Sequence, residues 1–537
     1  MYDLILKNGI IVDGTGSPWY RADVAIKNEI IAGVGKFAAH EGKKVLDIDG
    51  LIVAPGFIDT HTHTDIIATA KNDPENSLFQ GVTTQVSGNC GKSNAPVNGE
   101  TIDLLKRYLD AYTPKGIVLG WDWKSMGDWF DIIDRQGFIT DIATLLGQGT
   151  VRLAVLGMSD AEPTKVQLEE MKKLVDNAMR EGTVGMSSGL IYPPGIFTKT
   201  GELIELCKVV KEHEAVYTTH LRSEGNSLMD AIEEAIEIGR ESGCKVHISH
   251  HKVRGGINTG LSRKTLAAME YARGIGIDVT CDLYPYVAGY SQISSLVPRW
   301  ATVGGVNAML ERLANAENRD RFRVEMEEGL PDWDSFIHFS GWDGIAFSSA
   351  KEDHSVEGKS IAQLAAERNV APIDALLSVI LKEKAEASVI IYGSSLEDHI
   401  RIMQHPLSMI GSDGFACSYT EPRLQGKPHP RCLSTFPRVL AKYVREDHVL
   451  DLETAVYKMS GFAASRFGFT DRGLVKKGLL ADFVVFDYDK IADKATFASP
   501  YQKPEGIRYI IKNGVVLIED NIFNGQILGK SVRLGKR

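Results

Sequence analysis

The chain changes rhythm twice. Its first fifty or so residues alternate apolar and polar positions in short runs, "YDLILKNGIIVDG", "ADVAIKNEIIAGVG" and "KKVLDIDGLIVAPG", broken by Gly and Asn. Period-two alternation predicts half-buried strands, and Lys-Asn-Gly and Asp-Gly are hairpin signals. The far end returns to the same style in "LADFVVFDYD" and "IRYIIKNGVVLIED", where "IKNGVVL" (Ile511–Leu517) matches "LKNGIIV" (Leu6–Val12). The two ends therefore read as one small β-sandwich, residues 1-54 and 471-537, assembled around a central domain.

In that centre, apolar runs alternate with amphipathic helices such as "VQLEEMKKLVDNAMREG" and "SLMDAIEEAIEIGRESG". Strands are expected near 53–60, 82–87, 151–157, 183–188, 215–220, 245–250, 277–283 and 407–413. Repeated βα units predict a parallel sheet. Eight strands predict an α/β chain with a (β/α)8 TIM-like barrel over 55-470. An open doubly wound sheet is the structural alternative, but no G-x-G-x-x-G follows any strand. The long gap before the last strand predicts an inserted helical or mixed segment, about 290-395.

Composition narrows the classes. The 537 residues are 43% hydrophobic and 24% charged, enough for a large core. Sixty basic against 70 acidic residues leave a net charge of -10, which argues against nucleic acid as a partner. Six cysteines lie scattered without a C-x-x-C pair, so a reducing, cytoplasmic setting is expected rather than a disulfide framework. The N-terminus lacks the basic and long apolar regions of a signal peptide. No apolar run approaches the roughly 20 residues of a membrane span, so no membrane partner is expected.

The chemistry lies at the strand ends. "GFIDTHTHTD" places His61 and His63 after the first central strand, where i and i+2 side chains share a face. Cys90 in "SGNCG", His220 in "YTTHLRSEG" and His250 in "HISHHK" follow the second, fifth and sixth strands. Barrel sites are built from such C-terminal ends, and Cys and His are zinc ligands. Singly, Cys90 reads as a small buried apolar residue and each histidine as a hydrogen-bonded core residue. Ligands at four strand ends together favour a metal. In "HISHHKVRG", strand parity turns Ile248, His250 and Lys252 inward and His247 and His251 outward, with His251 the alternative ligand. "MIGSDGFAC" puts Asp413 in the same mouth, a carboxylate able to accept and return a proton, although Ser-Asp-Gly is also turn chemistry.

With these residues in place, the chain resembles the metal-dependent amidohydrolase superfamily over essentially its whole length. The narrower resemblance is to the D-aminoacylases, or N-acyl-D-amino-acid deacylases. Many two-metal amidohydrolases carry a carboxylated lysine after strand four, but "TVGMSSGLIYPPG" has none. Cys90 matches the cysteine that D-aminoacylases use instead, and "SSGLIYPPG", "THLRSEG", "ISHHK", "DLYPY", "GSDG" and "KPHPR…TFPRVL" are similar too. The resemblance implies a tight zinc (Zn2+) on Cys90, His220 and His250, and a second, weaker position on His61 and His63 with Cys90 shared. It implies Asp413 as catalytic acid/base, Lys252, Tyr284 and Arg431 at the substrate carboxylate, and Tyr192 near the substrate. The planar fork of Arg431 suits a carboxylate on its own chemistry. One departure is Leu433–Ser434 after "HPRC", where the family often has Tyr-Gly; it bears on loop shape and specificity.

The implied activity is zinc-dependent hydrolysis of a small N-acyl-D-amino acid to a carboxylate and a free D-amino acid. A cyclic-amide hydrolase of the hydantoinase or dihydroorotase type is the alternative enzyme, against which the missing lysine counts. A non-catalytic amidohydrolase-like scaffold is the alternative class, against which the complete ligand set counts. Side chain, acyl group and oligomeric state are not legible. An acidic D-amino acid would need an extra cation, for which Arg222 and Arg254 are candidates.

Overall fold

In the computed structural model, which describes residues 1–70, 75–110, 113, 117–331, 333–419 and 426–535, strands from both chain ends meet in one nine-stranded sheet. Ile52–Pro55 is the seam. It runs parallel to Tyr2–Ile11, with Ile10 opposite Ile52, and antiparallel to Phe483–Phe486, with Phe483 opposite Pro55. Leu4, Leu6, Val24, Val53, Phe483 and Ile511 fill the core beneath. The repeated Lys-Asn-Gly signal resolves in two ways. Lys512 pairs with Val515 across a tight turn at Asn513, φ 50°. Asn8, φ 64°, instead sits inside the continuous strand Tyr2–Ile11, where the register shifts between Leu6 and Gly9. Left-handed backbone at Asn-Gly serves a bulge as readily as a hairpin. The last strand, Ser531–Val532, leaves the terminal sheet and pairs parallel with Ile142 and Ala143 of the centre.

The centre is α/β and its ladders are parallel. One joins Phe57–Asp59, Val82–Ser87 and Asp141–Thr144. The other runs through Leu146–Gly147, Gly185–Gly189, Val216–His220, Lys245–Ile248, Val279–Leu283 and Ser408–Ile410. A parallel bridge between Thr62 and Gly414 links the first strand of one to the last of the other. Helices cover the ladders. Lys165–Glu181 starts at a Thr164–Gln167 capping box and buries Met171, Val175 and Ala178; Leu228–Ser242 buries Ile232, Ala235 and Ile238.

Two expectations are corrected. The run at 151–157 is not a strand: Gln148–Leu156 is an α-helix, and the strand positions are Asp141–Thr144 and Leu146–Gly147. Gln148 through Ala154 are all buried, so no polar face reveals the 3.6 period. The run at 53–60 is two strands broken at Gly56, where a Cβ would meet Thr83 Oγ1 at 2.2 Å. Its first half serves the terminal sheet and its second half the centre.

Between Val279–Leu283 and Ser408–Ile410 lies a segment with a sheet of its own. Ala288–Gln292 and Ile345–Ser349 both pair antiparallel with Ser388–Tyr392. It has a separate core that includes Ile293, Phe322, Phe347, Leu376 and Ile391. No helix among the described residues is long and apolar enough to cross a membrane.

Candidate metal centre and substrate pocket

Three of the expected site residues occupy left-handed backbone: Cys90 at φ 53°, His250 at 38° and Asp413 at 50°. Such angles are uncommon outside glycine and cost about 1–3 kcal/mol each where the structure holds them in place. They turn the chain abruptly at the strand ends. His250 lies two residues past the strand Lys245–Ile248, so its direction comes from this turn rather than from strand parity.

The turns bring four donors together. Cys90 Sγ is 3.4 Å from His61 Nε2, 3.7 Å from His220 Nδ1 and 3.6 Å from His250 Nε2. Zinc bonds of about 2.3 Å to sulfur and 2.0–2.1 Å to nitrogen, at tetrahedral angles, put S and N about 3.5 Å apart. Each sulfur–nitrogen spacing therefore matches donors that share a zinc ion, and the ligand atoms of His61, Cys90 and His250 all lie within 4.8 Å of one another. Next to it, His61 Nε2 and His63 Nε2 lie 3.5 and 3.3 Å from Asp413 Oδ1. The backbone fixes that pairing, since Asp413 N donates to His61 O and His63 N donates to Gly414 O, each at 2.8 Å.

The electrostatics also suit a cation. Burial holds His61, His63 and His220 below the usual imidazole range, so they are neutral. Burial pushes the Cys90 thiol well up, so a metal must displace its proton. Among the described residues, His61 Nδ1 and His220 Nε2 are buried without hydrogen-bond partners, each 3.8 Å from a carboxylate, Asp282 and Glu224 respectively. Burial works to raise the Asp413 carboxyl, but Arg431 and His63 hold it well below the carboxylate range. Arg431 Nη1 stands 2.8 Å from Asp413 Oδ2, leaving Oδ1 toward the histidines.

Two carboxylates that sequence reasoning missed support the donors. Glu224 Oε1 is 3.2 Å from His250 Nδ1 and accepts from Lys252 Nζ at 2.6 Å. Asp282 accepts from His250 N at 2.5 Å and Thr60 Oγ1 at 2.9 Å, and faces His247 Nε2 at 3.0 Å. Carboxylates behind ligating histidines fix ring orientation. The signal was present: both acids stand inside the quoted motifs, Glu224 in "THLRSEG" and Asp282 opening "DLYPY".

The expected substrate residues gather here as well. Tyr192, Lys252 and Tyr284 line the same enclosed space as Cys90 and Asp413, about 10 Å³ and so room for about one water. The Tyr192 ring lies 5.1 Å from that of His220. The Arg431 guanidinium is 4.6 Å from the centre of the Tyr284 ring. His251 stands apart, with Nε2 2.9 Å from Thr265 Oγ1. The wall opposite the donors comes from the inserted segment through Tyr290, Ser291 and Phe336. That segment is tied down by Asp334, which accepts from Ser223 Oγ and the N–H groups of Glu224 and Gly225 at 2.8–3.0 Å.

Known proteins share this arrangement of chain. The amidohydrolase family profile matches residues 44–272 and 401–518. D-aminoacylase of Alcaligenes xylosoxydans xylosoxydans is 34% identical over 529 residues, covering 98% of this chain and 97% of the relative. N-acyl-D-glutamate deacylase of the same organism is 34% identical over 514 residues, covering 95% and 93%. The crystal structure of N-acyl-D-glutamate deacylase from Bordetella bronchiseptica, complexed with zinc and a phosphonate mimic of the tetrahedral intermediate, superposes with a TM-score of 0.81 at 32% identity, over 99% of each chain.

Proposed function

We infer the activity from one premise: this chain belongs to the amidohydrolase family, within its D-aminoacylase branch. It is a metal-dependent hydrolase of linear amides that cleaves N-acyl-D-amino acids to a carboxylate and a free D-amino acid. The observation that carries this is Cys90 Sγ within 3.4–3.7 Å of three imidazole nitrogens, beside a carboxylate held by Arg431. The absence of lysine from Gly185–Gly189 favours this over a cyclic-amide hydrolase.

Cys90, His220 and His250 would hold a tight zinc, and His61 and His63, with Cys90 shared, a weaker second position. Zinc, when bound, polarises the acyl carbonyl and supplies a nucleophilic water near neutral pH. The protein does the rest. Asp413 Oδ1 takes the proton from that water and delivers it to the departing amide nitrogen, the general acid/base role of a positioned carboxylate. Arg431 keeps Asp413 ionised for the first of these transfers. Lys252, Tyr284 and Arg431 form the cationic end that receives the substrate carboxylate, and Tyr192 borders the substrate.

The same reading takes the two parallel ladders as one eight-position barrel. The Thr62–Gly414 bridge and the Val184 N–Thr144 O hydrogen bond at 3.1 Å support closure. It takes residues 1-54 and 471-537 as a two-part β-sandwich beside that barrel, and 290-395 as its insertion. The test is a matched assay of zinc-loaded protein with N-acetyl-D- and N-acetyl-L-methionine, following free amine. Release from the D form alone is expected; release from the L form alone removes the reading.

A further inference from the structure

A second cavity lies beside the metal space and is far larger. It holds about 260 Å³, and its apolar lining includes Leu104 and the Tyr108 ring from the helix Ile102–Leu109, Met158, and Val306 and Met309 from the helix Val306–Ala314. The charged residues described in its lining, Asp103 and Arg107, are both exposed, and Arg107 Nη1 donates to Asn307 Oδ1 at 2.6 Å. Charge therefore sits at the rim. An apolar cavity of about 150 Å³ stays dry and takes a benzene ring. This one has room for a longer apolar guest.

The two spaces share a wall. Tyr192 and Ser291 line the metal space, and the next residues in the chain, Pro193 and Gln292, line the cavity. Tyr108 reaches across from the cavity, donating through Oη to the carbonyl of Gly91, next to Cys90, at 3.2 Å. Tyr192 Oη and Ser291 Oγ stand 3.5 Å apart, the outer limit of a hydrogen bond. The direction of the cavity matters as well. Lys252, Tyr284, Asp413 and Arg431 follow the strands Lys245–Ile248, Val279–Leu283 and Ser408–Ile410, toward one end of the longer parallel ladder. Met158 and Pro193 follow Leu146–Gly147 and Gly185–Gly189, at the other end. The first group would receive the carboxylate and the departing amide nitrogen, which belong to the amino-acid half of the substrate. The acyl half then points toward the second group and the cavity behind it.

We propose that this cavity receives the far end of the acyl group, so that the preferred substrates carry a medium-length apolar acyl chain in place of acetyl. The proposal rests on the deacylase reading and deepens it to an acyl class. The chain enters between Tyr192 and Ser291, parting a contact of 3.5 Å. Each methylene it buries beyond them favours binding by about fourfold. That gain comes from a part of the substrate remote from the scissile bond, and it appears in kcat/KM.

The experiment gives zinc-loaded full-length protein the acetyl, butanoyl, hexanoyl and octanoyl derivatives of D-methionine and follows free amine. The value of kcat/KM should rise along the series, octanoyl exceeding acetyl by about tenfold or more. Val306→Trp and Leu104→Trp fill the cavity from two different helices, and neither residue lines the metal space. Each should bring the octanoyl-to-acetyl ratio toward one and leave acetyl turnover unchanged. A flat or falling series in the unmodified protein would overturn the proposal, leave the deacylase reading standing, and need no variant to fold. A rise that survives both substitutions would overturn it too. So would variants that spare the acyl series but lower turnover of N-acetyl-D-2-aminooctanoate relative to N-acetyl-D-alanine, since the cavity would then hold the side chain. Hydrolysis of none of these compounds would remove the deacylase reading and this inference with it.

Discussion

The donor floor and the pocket wall are built by different means. His61, His63, Cys90, His220, His250 and Asp413 come from the segments that match the family profile. They stand at or just past parallel strand ends, and their donor atoms lie 3.3–3.7 Å from their neighbours. Tyr284, Tyr290, Ser291 and Phe336 come from 273–400, which that profile skips. The space between floor and wall is narrow, about 10 Å³. The floor is held by backbone pairing and by buried carboxylates, and the wall by Asp334 through Ser223, Glu224 and Gly225. The candidate donors thus come from the profile-matched segments alone, whereas the pocket lining draws on both pieces, with Tyr192 and Lys252 from those segments and Tyr284 and Phe336 from the skipped one.

The sharpest way to break this division is at the floor. Asp413→Asn should lose about 10²- to 10⁴-fold in kcat, the usual worth of a positioned acid/base, while zinc content by atomic absorption stays the same. Activity within tenfold of the parent would show that proton transfer runs elsewhere. Cys90→Ser should come next. It removes the donor shared by the three imidazoles, and its zinc affinity in a chelator competition should fall by more than the 10- to 100-fold typical of outer-layer groups. Unchanged affinity would place the ion away from Cys90. At the wall, Phe336→Ala should shift kcat/KM among D-substrates by about tenfold, with zinc stoichiometry intact. A loss of zinc there would mean that wall and floor are one unit.

The smallest effect expected lies beside the floor, at Lys92, whose Nζ is 5.2 Å from the centre of the Tyr192 ring. Lys92 is buried, donates to the Tyr108 carbonyl at 3.3 Å, and has its amine pushed down by burial to about 7. The unfolded chain keeps that proton up to the ordinary value of 10.5, and the folded protein sheds it earlier. The unfolded state therefore binds more protons between those values, and folding stability from this group rises with pH across them. The slope is at most about 1.4 kcal/mol per pH unit. Denaturant midpoints at pH 7 and pH 9 should diverge in the parent and converge in Lys92→Met. Equal slopes in both would contradict the burial argument.

The floor was largely legible in the sequence because metal chemistry restricts residue type and strand ends restrict place. His61, Cys90, His220 and His250 stand out by spacing and composition, and the structure sets the three imidazoles 3.4–3.7 Å from the Cys90 sulfur. Parity alone picked His250 over His251, and the structure reaches the same side chain by a left-handed turn that parity does not describe. Glu224 and Asp282 stayed hidden, since a carboxylate behind a histidine has no spacing rule of its own. Of the wall, the resemblance supplies only Tyr284. Gly289 and Phe336 meet Arg254 only through the fold of the insertion, and no period along the chain encodes that meeting. In the fold, the helix Gln148–Leu156 reads as a strand in the sequence because its buried stretch Gln148–Ala154 leaves no exposed polar stripe.

The measurement that bears most directly on the account is zinc K-edge absorption on the protein loaded with one equivalent of metal. The account predicts a mixed shell, with one sulfur at about 2.3 Å beside nitrogens at 2.0–2.1 Å, and loss of the sulfur in Cys90→Ser. A shell of nitrogen and oxygen alone in the unmodified protein would contradict it, and the floor described here would not be the metal site.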